Sequence, residues 1–388
     1  MKNILWLTEW WPNELEPFSG DGIERRAKAA SLYNNIVVIF VKKNPALRFG
    51  KIKPEERIYN DNLSAWIYYY PSIGRFSRFV DMIYSNYWFI RLHRRGLRAF
   101  KKEYGKPHGV QVNVAMKVGI IALIWRWFRR MKYIIVEGWS LFLPEANPAL
   151  KDESWFFRMM TKKVLKDATL LVTVSDHLGE MISKNVVNIP YKVIPSVVDK
   201  TIFYPSSSNL KREVFRFIHI STLDHAKNIK EILLALKEVL KKNYRAELIV
   251  HAPPKKELNE LIQTLQLEKN VILKGEIPQT ELAESIRSSD ALILFSLYET
   301  FGNVVIEAQA CGVPVITSNY PTFNETVENN KNGIIAKGQS SRELCEAMIE
   351  LMNNKDKFDR NEISATAIQR YSFERIGKML DEVYEQYF

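Results

Sequence analysis

Short apolar runs rich in β-branched residues alternate with amphipathic stretches along this chain, and they do so in two successive series. The first series is Ile4–Leu7, Ile36–Val41, Ala65–Tyr70, Val110–Val114, Tyr133–Val136 and Leu170–Val174. The second is Phe215–Ile220, Glu247–Val250, Val271–Leu273, Ala291–Phe295, Val313–Thr317 and Gly333–Ala336. Unbroken runs of this length, bounded by turn or cap residues, are the pattern of strands buried on both faces of a parallel sheet. The stretches between them carry helical stripes: Lys227–Lys241 places Ile229, Ile232, Leu233, Leu236, Val239 and Leu240 on one face. Glu281–Ser289 and Ser341–Met352 repeat the pattern. Strand and helix alternating in this way predict a doubly wound α/β unit, twice, with about six strands each. A single mixed sheet is disfavoured, because open sheets rarely exceed about ten strands. The break falls in Ile194–Asn209, which holds Pro195, Pro205 and a serine triplet. The expected domains are therefore 1–196 and 197–370, with a helical end segment, Tyr371–Phe388. Two such domains leave a cleft between the carboxyl ends of their strands, where ligands bind.

The 388 residues suit two domains, and 46% hydrophobic with 26% charged residues excludes a disordered or fibrous chain. Cys311 and Cys345 have no CxxC spacing, which argues against a disulfide framework or structural zinc and suits a reducing cytoplasm. The longest apolar run, Val118–Trp125, stops at Arg126, short of the roughly 20 residues a bilayer span needs. MKNILWLTEWW reads as a buried strand rather than a signal peptide. The net charge of +11 is uneven. Residues 1–200 hold 32 basic and 18 acidic groups, and residues 201–388 hold 23 and 26. Within 75–132, 14 basic groups face only Asp81 and Glu103. One face of the first half is expected to meet something anionic.

The sharpest motif is Ser296-Leu-Tyr-Glu-Thr-Phe-Gly-Asn-Val-Val-Ile-Glu307, which follows a strand and opens a helix. Gly302 permits a turn closed to other residues. The amides of Phe301, Gly302, Asn303 and Val304 can then point at hydroxyls or phosphate oxygens. Two carboxylates, Glu299 and Glu307, suit a ligand with several hydroxyls, a sugar at one end and a ribose at the other.

From Glu299 to Pro314, ETFGNVVIEAQACGVP resembles the Glu-x7-Glu signature of glycosyltransferase family 4, retaining enzymes of the two-domain GT-B fold. The likeness runs on through Pro314–Ser318 and Asn329–Ala336, and upstream through Asn270–Ser296, covering most of residues 213–352. It implies that Glu307 binds donor ribose and Glu299 lies by the transferred sugar. Thr300 and the Phe301–Val304 backbone would hold sugar hydroxyls and phosphate, and the backbone at Ile277 would face the base. In Ser221-Thr-Leu-Asp-His-Ala-Lys227 the family's diphosphate lysine is kept as Lys227, but Thr222 stands where an arginine is expected. His225 or an arginine of the first half are candidate substitutes. His251-Ala-Pro-Pro replaces the frequent Gly-Asp-Gly. In the first half, Pro17-Phe-Ser-Gly-Asp-Gly-Ile-Glu24 is similar to the family's glycine loop, giving Gly20 and Gly22 a phosphate-side place. Ile134-Ile-Val-Glu-Gly-Trp-Ser140 keeps Glu137, expected on the catalytic side, but has Gly138 where relatives carry a histidine. His108 and His177 are not obvious replacements. Front-face attack, in which the leaving phosphate helps take the acceptor proton, does not require that imidazole.

The resemblance thus implies a retaining, metal-independent glycosyltransferase with no cofactor beyond its nucleotide-sugar substrate. The donor is expected in the second domain, and a glycan or lipid-linked acceptor of polysaccharide or glycolipid synthesis in the first. Two other readings stay open: a sugar-nucleotide epimerase of the same fold, and a degenerate sugar-nucleotide-binding subunit, favoured by Thr222 and Gly138. The basic stretch 75–132 interleaves aromatics with cations, as in GRFSRF (Gly74–Phe79) and IWRWFRRMKY (Ile124–Tyr133). Phe79, Ile83, Tyr87 and Ile90 would share a helix face ahead of Arg91, Arg94, Arg95 and Arg98. That suits an anionic membrane surface. No nucleic-acid motif accompanies the charge. A cytoplasmic protein, peripheral on the inner membrane face, is expected.

Overall fold

All twelve apolar runs are strands in the computed structural model, which describes residues 1–48, 50–73, 78–206 and 212–388. The first sheet contains β1 (Asn3–Thr8), β2 (Asn35–Asn44), β3 (Lys53–Asn60), β4 (Leu63–Pro71), β5 (Gly109–Asn113), β6 (Tyr133–Glu137), β7 (Leu170–Thr173) and β8 (Tyr191–Val193). Its order is β3-β4-β2-β1-β5-β6-β7-β8, parallel except for the β3–β4 pair. The second contains β9 (Phe215–Ile220), β10 (Ala246–His251), β11 (Val271–Lys274), β12 (Ala291–Leu294), β13 (Val315–Thr317) and β14 (Gly333–Ile335). Its order is β11-β10-β9-β12-β13-β14, parallel throughout. Both are doubly wound, so the chain has the two Rossmann-like α/β domains of the GT-B fold. The central strands are apolar on both faces because helices cover both: Ile4, Leu5, Trp6 and Leu7 are all fully buried.

The first sheet has eight strands, not six. β3 escapes an apolar-run search because KPEERIYN alternates exposed and half-buried side chains along an edge, where Pro54 is tolerated. β8 is three residues long and only half-buried. Helix Phe373–Tyr387 lies against helix Asp21–Ala30 of the first sheet. Asn34 Nδ2 donates to Asp381 Oδ1 at 2.8 Å, and Tyr384 Oη donates to the buried Gln111 Oε1 at 2.6 Å.

Of the predicted break at Ile194–Asn209, residues 207–209 lie outside the described residues, as do 75–77 of the basic stretch. Helix Arg78–Tyr104 changes character along its length. Leu92, Leu97 and Phe100 pack into the core, whereas Phe79, Ile83, Tyr87 and Ile90 are exposed. Among the described residues, no helix is long and apolar enough to cross a membrane.

Candidate active site

Each sheet reverses strand order beside its first strand, β1 next to β5 and β9 next to β12, and the carboxyl ends at these points are ligand crevices. The loops leaving β1, β5 and β6 face those leaving β9, β10 and β12. Two helix starts meet here. Helix Asp21–Ala30 begins after Gly20 (φ 76°), and helix Asn303–Ala310 after Gly302 (φ 82°). Both glycines are in the left-handed region, which lets the chain turn sharply from strand to helix. Both helix starts border the cleft; in the second the first-turn amides are open to it, while in the first the Gly22 amide is taken by Asp21 Oδ1 at 2.7 Å. Gly22 lies across from Asn303, whose Nδ2 is 3.5 Å from where a Gly22 Cβ would stand.

Two cavities share this cleft. The larger, about 460 Å³, is lined by Thr222, Lys227, Ile277, Glu299, Gly302, Asn303, Val304 and Glu307 among others, so eight of the predicted residues converge on it. The smaller, about 230 Å³, is lined by Gly20, Gly22, Gly138, Thr300 and Phe301 with Trp10, Arg26 and Asn113. Glu299, Gly302 and Asn303 line both and form the boundary between them.

The charges in the larger cavity are paired. Lys227 Nζ donates to Glu299 Oε2 at 2.7 Å. Burial opposes the lysine charge, but Glu299 and Asp224 outweigh it, so Lys227 holds its proton more tightly than an ordinary lysine. Arg25 Nη1 donates to Glu307 Oε1 at 2.7 Å, a buried ion pair joining one domain to the other. Burial again opposes the charge, and Glu307 with Asp21 reverses that. Gln279 Nε2 also crosses the cleft, donating to Asp21 Oδ2 at 2.6 Å. Altogether the larger cavity presents five carboxylates (Asp21, Asp224, Glu276, Glu299 and Glu307) against two cations, Arg25 and Lys227. Thr222 is exposed and donates through Oγ1 to Asp224 Oδ2 at 2.8 Å.

Glu137 requires a correction. It lines neither cavity, and its carboxylate is fully buried beneath the cleft. The Ala115 amide donates to it at 2.9 Å, Gly138 at 3.0 Å and Trp139 at 2.9 Å. These three bonds tie the loops after β5 and β6 together. Burial pushes its pKa up to about 7 against the opposing effect of these amides. Neither His108 nor His177 lines either cavity. The Asn3 amide donates to His108 Nδ1, and His177 Nε2 lies 3.0 Å from Tyr320 Oη.

The sequence did not single out Arg25, Arg26 or Gln279. Arg25 and Arg26 stand in a helix directly after the glycine loop, which was the available signal. His251, noted only as a departure, lines the larger cavity and bonds Ser285 Oγ at 2.8 Å through Nε2. Burial holds its pKa below the usual histidine range. Among the described residues, no group of three or more His, Cys, Asp or Glu side chains is arranged to hold a metal ion.

Residues 201–370 match the family described as Glycosyl transferases group 1. Alpha-monoglucosyldiacylglycerol synthase of Streptococcus pneumoniae is 24% identical over 243 residues, 58% of this chain and 54% of that protein. A probable sucrose-phosphate synthase of Thermosipho melanesiensis is 29% identical over 195 residues, 48% and 45% of the two chains. The chain thus spans about half the length of these curated relatives. Among solved structures, sucrose-phosphate synthase of Thermosynechococcus elongatus superposes with a TM-score of 0.80 at 17% identity, covering 99% of both chains. Anabaena HepE in complex with UDP and glucose gives 0.72 at 17% identity over 100% of both chains.

Proposed function

We propose that this chain, whose residues 201–370 match the group 1 glycosyl transferases, moves a sugar from a nucleotide-sugar donor to a glycan or lipid-linked acceptor with retention of anomeric configuration. The observation that carries the reading is one cleft in which Glu299, Glu307, Lys227, Arg25 and two helix starts converge. In this reading Glu307 accepts hydrogen bonds from the donor ribose and the backbone at Ile277 borders the base. The amides of the helix start after Gly302 hold the diphosphate, with Lys227 and Arg25 supplying the positive charge that Thr222 does not. The sugar occupies the smaller pocket beside Glu299.

The chemistry then follows from charge. As the bond between the anomeric carbon and the leaving phosphate breaks, negative charge grows on the diphosphate. Lys227 and Arg25, each shared with the carboxylate it now meets, and the amides of the helix start after Gly302 border that charge, and donors held beside developing charge lower such barriers. The acceptor hydroxyl attacks from the face the phosphate leaves, and its proton passes to the phosphate oxygen. No side-chain base is needed, consistent with Gly138. These parts also favour a transferase over an epimerase or a silent binding subunit.

The site is tested at Glu307. The Glu307→Ala variant is expected to lose nucleoside affinity about tenfold or more, since a charged acceptor of two hydroxyls is removed. Calorimetry with UDP, GDP and ADP, and with the free nucleosides, measures this. If the variant binds all of them as well as the parent, the assignment is wrong.

A second observation favours a membrane-borne acceptor. Arg91, Arg94, Arg95 and Arg98 line one cavity of about 430 Å³ with Tyr87 and Ile90, and none forms an ion pair with a carboxylate among the described residues. The exposed Phe79, Ile83 and Tyr87 continue the same helix. Unneutralised arginines beside exposed aromatics suit anionic headgroups. Replacing Arg94, Arg95 and Arg98 together with glutamine is expected to lower co-sedimentation with phosphatidylglycerol vesicles. Unchanged sedimentation removes the membrane reading and leaves the donor site intact.

A further inference from the structure

Arg25 and Arg26 are consecutive residues of helix Asp21–Ala30, and their guanidinium groups meet opposite surroundings. Arg25 is held by Glu307 at 2.7 Å and by Asp21 at 3.4 Å. Arg26, 6% exposed, forms no ion pair among the described residues. Its one hydrogen bond there runs from Nη2 to the Pro195 carbonyl at 3.4 Å, and its Nε has no partner. Burying a guanidinium without a counter-charge is unfavourable, and an arginine replaced by an apolar side chain would avoid that cost. Burial lowers its pKa to about 10, which leaves it charged at neutral pH.

Arg26 lines the smaller pocket. The other charged side chain on that lining is Glu299, which is already engaged by Lys227. The helix start after Gly302 borders the same space with no acidic residue in its first turn, whereas the start after Gly20 carries Asp21, whose Oδ1 accepts from the Gly22 amide at 2.7 Å. The pocket therefore combines an uncompensated guanidinium, the dipole end after Gly302 and the apolar ring of Trp10. A neutral sugar would satisfy none of the charge. A carboxylate or phosphate would, because a guanidinium fork matches either group with two parallel hydrogen bonds.

We infer that the smaller pocket takes a sugar unit carrying an anionic substituent, a carboxylate or a phosphate, with Arg26 as its ligand. This rests on the reading above that the sugar side of the reaction lies in this pocket. The anion belongs either to the transferred sugar, as in a uronosyl donor, or to the acceptor, as in a sugar phosphate. A purely structural Arg26, bracing the Pro195 turn, would not discriminate between charged and neutral sugars.

Calorimetry on the full chain separates these cases. The first arm compares nucleoside-diphosphate hexuronates with the matching hexoses, in the uridine, guanosine and adenosine series. The second adds a hexose phosphate, or the free hexose, to the chain saturated with nucleoside diphosphate. One arm is expected to show a preference for the anionic ligand of about tenfold, the scale of one charge-assisted contact. The arm that responds identifies the source. Arg26→Gln is expected to bring the ratio of anionic to neutral affinity close to one, and Arg26→Lys to restore part of it. If the glutamine variant does not fold, the parent chain still decides: equal affinity for charged and neutral sugars in both arms overturns the inference. If no nucleoside diphosphate binds the parent at all, the donor site is what fails, and this inference falls with it.

Discussion

Gly20 and Gly302 hold equivalent places on opposite walls of the cleft. Each precedes the first residue of a helix in left-handed backbone, with φ of 76° and 82°. Their surroundings differ. A Cβ on Gly302 would meet side chains, Leu294 Cδ2 and Phe323 Cε1, both at 3.2 Å. A Cβ on Gly20 would meet main chain, at 2.6 Å from the Trp10 carbonyl carbon and oxygen and 2.7 Å from the Trp11 nitrogen. The second-domain wall is a contiguous loop and helix, bordered by side chains of β12 and of the turn Pro321–Glu325. The first-domain wall carries its glycine at the end of the long loop between β1 and helix Asp21–Ala30, and that loop's own backbone, ten residues earlier, presses against it. The second wall is readable as a motif because Glu299, Gly302 and Glu307 follow one another on it, whereas the way the first loop folds back on its own backbone shows only in the structure.

Substitution at the two glycines gives the largest expected effect. Gly302→Ala should cost about 1–2 kcal/mol, the strain of a left-handed L-residue, since its neighbours are side chains that can shift. Gly20→Ala adds a backbone clash to the same strain, with overpacking costing about 1–3 kcal/mol more. Urea denaturation of both variants measures the difference. Equal midpoints would show that the first wall yields as easily as the second.

The same contrast governs what was legible beforehand. Strands that are apolar on both faces announce themselves, which is why Ile4–Leu7 and Ala291–Phe295 were readable. The edge strand β3, charged and solvated, was not. Glu299 and Glu307 sit on one loop and helix, so their spacing carries information. The partner of Glu307 is Arg25, 282 positions away, and only the fold brings them together. Glu137 shows the converse. Its place at a strand end was readable, but not the direction of its side chain, which turns inward to three amides.

Glu137 supplies the next test, on the first wall alone. Its folded pKa of about 7 stands above the ordinary glutamate value of 4.5, so the folded state binds the proton more tightly than the unfolded chain. The resulting stability is fully present below about pH 4.5 and is lost as pH rises through about 7. Glu137→Gln cannot titrate. The stability of the parent relative to this variant is therefore expected to fall between about pH 5 and 8, read from urea midpoints across that range. A difference that stays level would mean that the three amides keep the carboxylate ionised throughout.

The smallest effect is expected on the second wall, at Thr222. The larger cavity carries five carboxylates and two cations, and both cations are engaged, Lys227 by Glu299 and Arg25 by Glu307. A diphosphate entering it competes for cations that already have partners. Thr222→Arg adds a third at the cavity lining, beside Asp224, which accepts from Thr222 Oγ1 at 2.8 Å and would neutralise part of the new charge. Since Thr222 is exposed, the gain is screened, and nucleoside diphosphate affinity should rise only about three- to tenfold. The rise should shrink for the monophosphate and disappear for the nucleoside. A gain of equal size for all three would place the new arginine against the base or ribose, and the diphosphate would then lie nearer the first wall, within reach of Arg25 and the Gly20 helix start.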